Sequence, residues 1–227
     1  MAGRLTPLVN EYYYHVFNRG VARQAIFLTD KDYSRAVSTF SYYRFVSLPI
    51  KYSRLFVLNK KDRYTLLTGL EKNAEKLVEI ISFSLMPNHF HFLLKQNHDG
   101  GISTFMSKFT NSYSKYFNTK NSRNGPILQG TFKAVLIESE EMLIHVSRYI
   151  HLNPIVSKVI DKTYLPSYPW TSLPHYLDNN SRLVNPSIIL SKFSTKSDYL
   201  DFLYSNVDYG TKIEEIKHQF LDLDCPP

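Results

Sequence analysis

Two histidines that alternate with aromatic residues are the part of this sequence best suited to chemistry. His89 and His91 lie in the apolar run MPNHFHFLLK. Because successive side chains of a β-strand point to opposite faces, both imidazoles would share one face while Phe90, Phe92 and Leu94 enter the core. Two imidazoles on one face make half of a metal site.

A tyrosine and an asparagine form the second candidate group. Tyr149 and Asn153 lie four residues apart in RYIHLNP, a segment with helical periodicity. Residues at this spacing lie one above the other on a helix, so the phenol and the carboxamide would share a face. Together with the two histidines, these side chains would supply a divalent-metal site and a nucleophile.

Neither pair is diagnostic by itself. With 8 His among 227 residues, a pair at this spacing arises by chance roughly 0.28 times per chain. The chain has 17 Tyr, and the four-residue spacing to Asn or Asp recurs after Tyr14, Tyr176 and Tyr204. Tyr113 and Tyr116 are further candidates for the nucleophile, but they fall in an aromatic stripe that is typical of a core.

Structural roles are the alternatives for the four side chains. The histidines could be ordinary strand residues, and Tyr149 could pack with its hydroxyl bonded to a neighbour. Asn153 precedes Pro154, so it could instead be the C-cap of its helix.

The composition is that of a folded globular protein, with 43% hydrophobic and 15% aromatic residues. The single cysteine, Cys225, cannot form a disulfide within the chain, which fits a reducing cytosol. We find no secretory leader and no apolar run of the length needed to cross a membrane. The expectation is a soluble cytoplasmic protein.

The net charge of +7 is unevenly distributed. Residues 1–63 carry 11 Lys or Arg against 4 Asp or Glu, whereas residues 178–227 carry 5 against 8. A basic body rich in Tyr and Phe suits a nucleic acid, because cations contact phosphates and aromatic faces stack on unpaired bases. A solvated basic surface without a ligand is the alternative.

The order of the elements indicates an α+β fold. Strands are expected at residues 12–18, 77–85, 89–95 and 132–137, and helices at 30–46, at 102–118 and after Ser139. This order predicts a ferredoxin-like split βαβ antiparallel sheet with helices on one face, plus a C-terminal helical extension. Residues 49–74 are basic and of mixed pattern; they are expected to be helical, but the bounds of the helix are not assignable. We divide the chain into a catalytic domain, 1–172, and an extension of unknown role, 173–227, with weak helix signals at 196–205 and 212–221.

Several short motifs occur in an order that resembles a known family. MPNHFHFLL is followed by YSKYFN, ILQGTFKA, SRYIHLNPI and YPWTS, and YHVFNRGVARQAIF precedes them all. The chain is similar to the single-tyrosine transposases of the His-hydrophobic-His endonuclease superfamily, and most of all to their REP-associated branch. The similarity spans residues 12–172.

The resemblance implies a role for each candidate residue. His89 and His91 become metal ligands, Asn153 the third ligand and Tyr149 the nucleophile. Members of this family use Mg²⁺ or Mn²⁺, bind single-stranded DNA, often beside an imperfect hairpin, and generally act as dimers. Many relatives have Arg where this chain has Thr131, and Lys133 is a possible substitute.

The expected reaction is cleavage and rejoining of single-stranded DNA. A divalent cation would polarise the phosphate, and attack by the tyrosine would store the bond energy in a 5′-phosphotyrosine. The phenol needs help, because a free tyrosine has a pKa near 10. Arg19, Arg23 and Lys133 are candidate phosphate contacts. The alternatives are a non-cleaving DNA or RNA hairpin-binding protein on the same fold, and a phosphohydrolase in which water attacks.

Overall fold

The computed structural model describes residues 7–178 and 181–205. Four strands and seven helices are present in these residues, namely β1 (Tyr13–Arg19), α1 (Asp30–Tyr43), α2 (Lys60–Asn73), β2 (Val78–Met86), β3 (His89–Gln96), α3 (Gly101–Lys120), β4 (Lys133–Leu136), α4 (Glu140–Val156), α5 (Leu173–Leu177), α6 (Ser187–Leu190) and α7 (Lys196–Tyr204). The helix signal at 212–221 and Cys225 lie outside the described residues.

The strands form one antiparallel sheet in the order β2-β3-β1-β4. The hairpin β2–β3 is closed by Pro87 and Asn88, and β1 lies between β3 and β4. With α1 between β1 and β2 and α3 between β3 and β4, this is the ferredoxin-like split βαβ arrangement. The expected α+β fold class is confirmed.

The helices cover both faces of the sheet, which corrects the expectation that they all lie on one face. Phe92 of β3 contacts Phe40 of α1 and Phe109 of α3, with ring centroids 5.1 and 5.9 Å apart. Its neighbour His91 points the other way and contacts Tyr149 of α4. An additional helix after β4 returns across the second face, and the element order alone does not say which face it takes.

Small residues allow α4 to approach the sheet closely. Ser147 of α4 and Ser82 of β2 are both fully buried, and their hydroxyl oxygens are 2.9 Å apart. The helix begins at Ser139, whose side chain accepts the backbone N–H of Met142, and two glutamates occupy its first turn. Both features stabilise a helix N-terminus.

The segment between α1 and β2 is an insertion with its own small core. It contains a short 3₁₀ turn at Tyr52–Phe56 and the helix α2, and its buried residues are Tyr42, Phe45, Tyr52, Leu55 and Leu70. Arg44, which is 2% exposed, ties the insertion down through an ion pair with Glu71 and a hydrogen bond to the carbonyl of Leu183.

The described part of the C-terminal extension packs on α4 and β2. Tyr176 of α5 donates its hydroxyl to the carbonyl of Ile81, and Tyr199 and Leu203 of α7 are buried in the main core. The domain boundary at residue 172 stays a prediction. Within residues 7–178 and 181–205, no helix is both long and apolar enough to cross a membrane.

Candidate active site

The two histidines share the sheet face that α4 covers. In the strand register, His91 is opposite Phe17 of β1, and Phe17 is opposite Lys133 of β4. Two residues earlier in β3, His89 is opposite Arg19 of β1. Side chains directly opposite each other lie on the same face of a sheet, so this register places two basic residues on the face of the histidine pair.

A network of hydrogen bonds holds His89 at the start of β3. Asn88 donates its side-chain N–H to the carbonyl of Arg23 at 3.2 Å, and its Oδ1 is 2.6 Å from Nδ1 of His89. Because the amide oxygen can only accept, Nδ1 of His89 carries the proton. The lone pair of this imidazole is therefore on Nε2, the nitrogen that would bind a metal.

The backbone around Asn88 is fixed by the loop that follows β1. Gly20 donates its N–H to the carbonyl of Asn88 at 2.7 Å, and Ile26 donates to the carbonyl of Pro87 at 2.7 Å. A Cβ at Gly20 would collide with the carbonyl oxygen of Gln24, so only glycine permits this close approach.

His91 is held from behind by a third histidine. Nε2 of His15 is 2.9 Å from Nδ1 of His91, and the two rings stack with centroids 5.1 Å apart. His15 is 1% exposed and His91 7% exposed. The bond engages Nδ1 of His91 and fixes its ring plane, so Nε2 is again the nitrogen suited to a metal.

Tyr149 lies against these imidazoles. Its ring centroid is 5.5 Å from that of His91 and 5.9 Å from that of His15, in edge-on arrangements. Asn153 donates its Nδ2–H to the phenolic oxygen at 2.8 Å, as the four-residue spacing predicts. The phenol, the amide and the histidine pair therefore lie together within one chain.

The structure excludes the capping role for Asn153. The helix α4 continues through Pro154 to Val156, and its C-cap is Ser157, whose N–H bonds to the carbonyl of Asn153. Asn153 is instead 1% exposed, with its side chain on the phenol. The same bond satisfies the Tyr149 hydroxyl within the packed site.

The competing tyrosines of α3 belong to the other side of the sheet. Tyr113 donates to the carbonyl of Ile26 at 2.5 Å, and Tyr116 donates to Asp32 at 2.9 Å. Burial, with a contribution from Asp32, raises the pKa of Tyr116 to about 12. Neither phenol lies near the histidine pair.

A divalent metal fits the residues that are present. No three His, Cys, Asp or Glu side chains in the described part of the chain group as a metal site. The candidate donors are two imidazole nitrogens and the amide oxygen of Asn153, whose nitrogen donates to Tyr149 and whose oxygen accepts the hydroxyl of Ser157 at 3.4 Å. Such a neutral set leaves coordination positions for phosphate oxygens and water, as Mg²⁺ and Mn²⁺ require.

The helix α4 is held in place by contacts behind the site. His151 is fully buried, with Nδ1 2.7 Å from the hydroxyl of Tyr199 and Nε2 2.6 Å from that of Ser172. Burial lowers the pKa of His151 to about 3, so the ring is neutral. We call these three residues the α4 clamp. It joins the helix that carries Tyr149 to the extension.

The three candidate phosphate contacts have different positions. Arg19 and Lys133 are half-buried on the strands, in register with the site as described above. Arg23 is exposed in the loop after β1 with φ of 58°, and its carbonyl binds Asn88. Arg23 therefore supports the turn before His89 through its backbone.

Sequence reasoning missed His15 and Asn88 as site residues. Both had a signal. His15 is a lone histidine inside the apolar strand YYHVFNR, and Asn88 directly precedes the pair in MPNHFH. Recognising them requires the register of β1 against β3, which no local pattern gives.

Comparison with known proteins agrees with this geometry. A family model described as "Transposase IS200 like" matches residues 36–153, which contain both histidines, Tyr149 and Asn153. The chain belongs to the IS200-like transposase family. Its general function is therefore transposase-type processing of DNA, and the resemblance seen in the motifs is confirmed at the level of the family.

A structural match was also found. A solved structure of a REP-associated tyrosine transposase bound to a REP hairpin aligns over 78% of this chain and 86% of that chain, with 14% identity and a TM-score of 0.49. No curated protein matches the sequence. The assignment therefore rests on the family match.

Proposed function

We propose that this transposase cuts and rejoins single-stranded DNA through a covalent 5′-phosphotyrosine on Tyr149, with the help of Mg²⁺ or Mn²⁺. One observation carries the proposal. The phenol of Tyr149 accepts a hydrogen bond from Asn153 and lies edge-on to His91, so a nucleophile lies beside side chains that could bind a metal.

Each residue has a defined part in the reaction. Asn153 holds the phenolic oxygen through its N–H, and a donor at that position suits the negative charge that the oxygen carries as it attacks. The Tyr149 oxygen forms a bond to phosphorus while the bond from phosphorus to the 3′-oxygen breaks. The phenol gives up its proton, and the departing 3′-oxygen leaves with one as a hydroxyl.

A divalent cation held by His89, His91 and Asn153 would polarise the phosphoryl oxygen and fix its geometry. His15 and Asn88 keep the two imidazoles in the required orientation through their bonds to Nδ1. Arg19 and Lys133, on the same face of the sheet, would neutralise neighbouring phosphates.

Rejoining is the reverse of cleavage, with a different DNA 3′ end as the attacking group. The phosphotyrosine keeps the energy of the broken bond, so a second 3′-hydroxyl can attack it without ATP and regenerate the phenol. Hydrolysis would lose this energy. We further propose, on the motif resemblance, that the DNA is flanked by a hairpin and that the protein acts as a cytoplasmic homodimer.

The test uses purified protein, a labelled hairpin-flanked single strand and Mn²⁺. The wild type should give a covalent protein–DNA adduct that survives denaturing electrophoresis. Tyr149→Phe should lose the adduct and keep DNA binding, and Tyr64→Phe, at an exposed tyrosine on α2, should keep both. An adduct that persists in Tyr149→Phe overturns the proposal. Cut DNA with no protein attached would indicate a phosphohydrolase. DNA that is bound but not cut would indicate a hairpin-binding protein.

A further inference from the structure

A second basic surface lies on the side of the molecule away from Tyr149. It is a groove between α1, α3 and the first part of the insertion, residues 46–53. Because α3 packs on the Phe92 face of β3, the sheet and α3 separate this groove from His91. The proposed reaction makes no use of it. We call it the α3 groove.

The residues that line the α3 groove include no carboxylate in the described part of the chain. Polar side chains and the apolar residues Val46, Leu48, Pro49 and Ile50 line it together with five cations, namely Arg35, Lys51, Lys108, Lys115 and Lys120. Lys120 is paired with Asp32 at 2.6 Å. The other four form no ion pair with a described residue. The groove therefore has an uncompensated positive charge.

Arg35 is held in this groove by aromatic rings. Its guanidinium carbon lies 4.4 Å from the ring centroid of Tyr52, 5.2 Å from that of Phe56 and 5.1 Å from that of Tyr116. Its Nε is buried and has no hydrogen-bond acceptor among the described residues. Cation–π contacts of this kind fix a guanidinium without neutralising it.

Two of these cations lie in a row along one face of α3. Lys108 and Lys115 are two turns apart on α3, about 10 Å along the axis, with Asn111 and Ser112 between them. Thr119 continues the row, so the polar stripe is about 16 Å long. A single small anion would need donors that converge on one point. A row of cations separated by small hydrogen-bonding side chains suits the repeating phosphates of a nucleic acid.

We infer that the α3 groove is a second DNA-binding surface, which binds the phosphate backbone without reading sequence. The inference rests on the proposed function only in taking DNA as the polyanion. Such a surface would hold DNA that extends beyond the strand at Tyr149, or a second DNA segment, while the catalytic face is occupied.

The test measures how binding depends on salt. Each phosphate contact with single-stranded DNA contributes about 0.7 to the slope of log K against log salt concentration. The double variant Lys108→Gln with Lys115→Gln should therefore lower the slope on random-sequence single-stranded DNA by about 1.4. The measurement is made without divalent cations, so that no adduct forms.

A matched control separates the groove from net charge. Lys61→Gln with Lys72→Gln removes the same charge from exposed positions on α2, outside the groove. It should leave the slope unchanged. An unchanged slope in the groove variant, or the same reduction in both variants, overturns the inference. A reduction with single-stranded RNA but not with DNA overturns the assignment to DNA.

Failure of this inference is distinguishable from failure of the proposed reaction. The groove variant should keep wild-type adduct formation on a short, saturating substrate, because neither lysine lies near Tyr149. Loss of that adduct in a folded variant would place the lysines in the catalytic function and overturn the separate-surface assignment. If the wild type forms no adduct at all, the proposed reaction is wrong. The salt dependence of binding still tests whether the α3 groove binds DNA.

Discussion

At the scale of single residues, the candidate site depends on which nitrogen of each imidazole is engaged. Oδ1 of Asn88 is hydrogen-bonded to Nδ1 of His89 at 2.6 Å, and Nε2 of His15 is hydrogen-bonded to Nδ1 of His91 at 2.9 Å. These bonds leave Nε2 as the nitrogen through which each imidazole would bind the proposed metal. Partners of this kind usually matter for metal affinity nearly as much as the ligands themselves.

Replacing His15 should weaken the metal site without removing a ligand. In His15→Phe the bond to His91 is lost, so Mn²⁺ affinity should fall about 10- to 100-fold. His15→Gln, which can still bond to Nδ1, should recover part of the loss. Titration of Mn²⁺ followed by electron paramagnetic resonance, in the presence of DNA, measures the change. His98→Phe, at a partly exposed histidine, is the control, and an affinity for Mn²⁺ unaltered in His15→Phe would contradict this role.

At the scale of elements, the position of Tyr149 depends on how α4 is held. The helix contacts the sheet through Ser147 on Ser82 and the extension through the α4 clamp. Arg148 adds a cation–π contact with Phe202 of α7 at 4.3 Å. The extension therefore supports the helix that carries Tyr149.

Breaking the α4 clamp should lower both stability and the rate of cutting. Tyr199→Phe leaves a buried imidazole nitrogen without its partner, which should cost about 1–3 kcal/mol of the free energy of unfolding. If the clamp positions α4, the rate of adduct formation at saturating DNA should fall while DNA affinity stays constant. Urea denaturation and single-turnover kinetics measure the two effects. Tyr164→Phe, at an exposed tyrosine, should change neither the stability nor the rate. A normal rate of adduct formation in a destabilised Tyr199→Phe would show that the α4 clamp contributes only to folding.

Local patterns predicted most elements of this fold. The alternation of polar and apolar residues predicted β1 and β3, and the capping residue Ser139 predicted the start of α4. Each bound was correct within about two residues. Residues 49–74 were expected to be helical, and α2 confirms this; its bounds could not be assigned, because the segment packs on its own small core and α2 has little amphipathic pattern. The face covered by α4 and the role of His15 depend on contacts between segments far apart in sequence, which local propensity does not contain.

At the scale of the whole molecule, histidines with a lowered pKa make stability depend on pH. The pKa of His151 falls from 6.5 to about 3 because of burial, and burial also lowers the pKa of His175 and of His145. Unfolding lets these rings take up protons below pH 6.5. Their stabilising contribution is therefore complete above pH 6.5 and is lost progressively as the pH falls towards 3.

The free energy of unfolding should show this loss. Below pH 6.5, His151 alone should contribute a decrease of about 1.4 kcal/mol per pH unit. Urea denaturation at pH 6 and pH 5 measures the slope, and His151→Gln should reduce it by about that amount. A slope equal to that of the wild type would contradict a neutral, buried His151.

The proposed catalytic groups lie together within a single chain. Tyr149 lies beside His91 and His15 of the same protomer. Mixing Tyr149→Phe protein with His91→Ala protein should therefore not restore adduct formation, because each protomer has only one incomplete site. Recovery of a substantial fraction of wild-type adduct in the mixture would show that the sites are shared between subunits.

The central claim is that Tyr149 itself becomes linked to DNA. The direct measurement is mass spectrometry of the adduct after digestion with nuclease and trypsin. The account predicts a nucleotide 5′-phosphate on the tryptic peptide 149–158, attached to its single tyrosine. A nucleotide on any other residue, or cut DNA with no modified peptide, would contradict it.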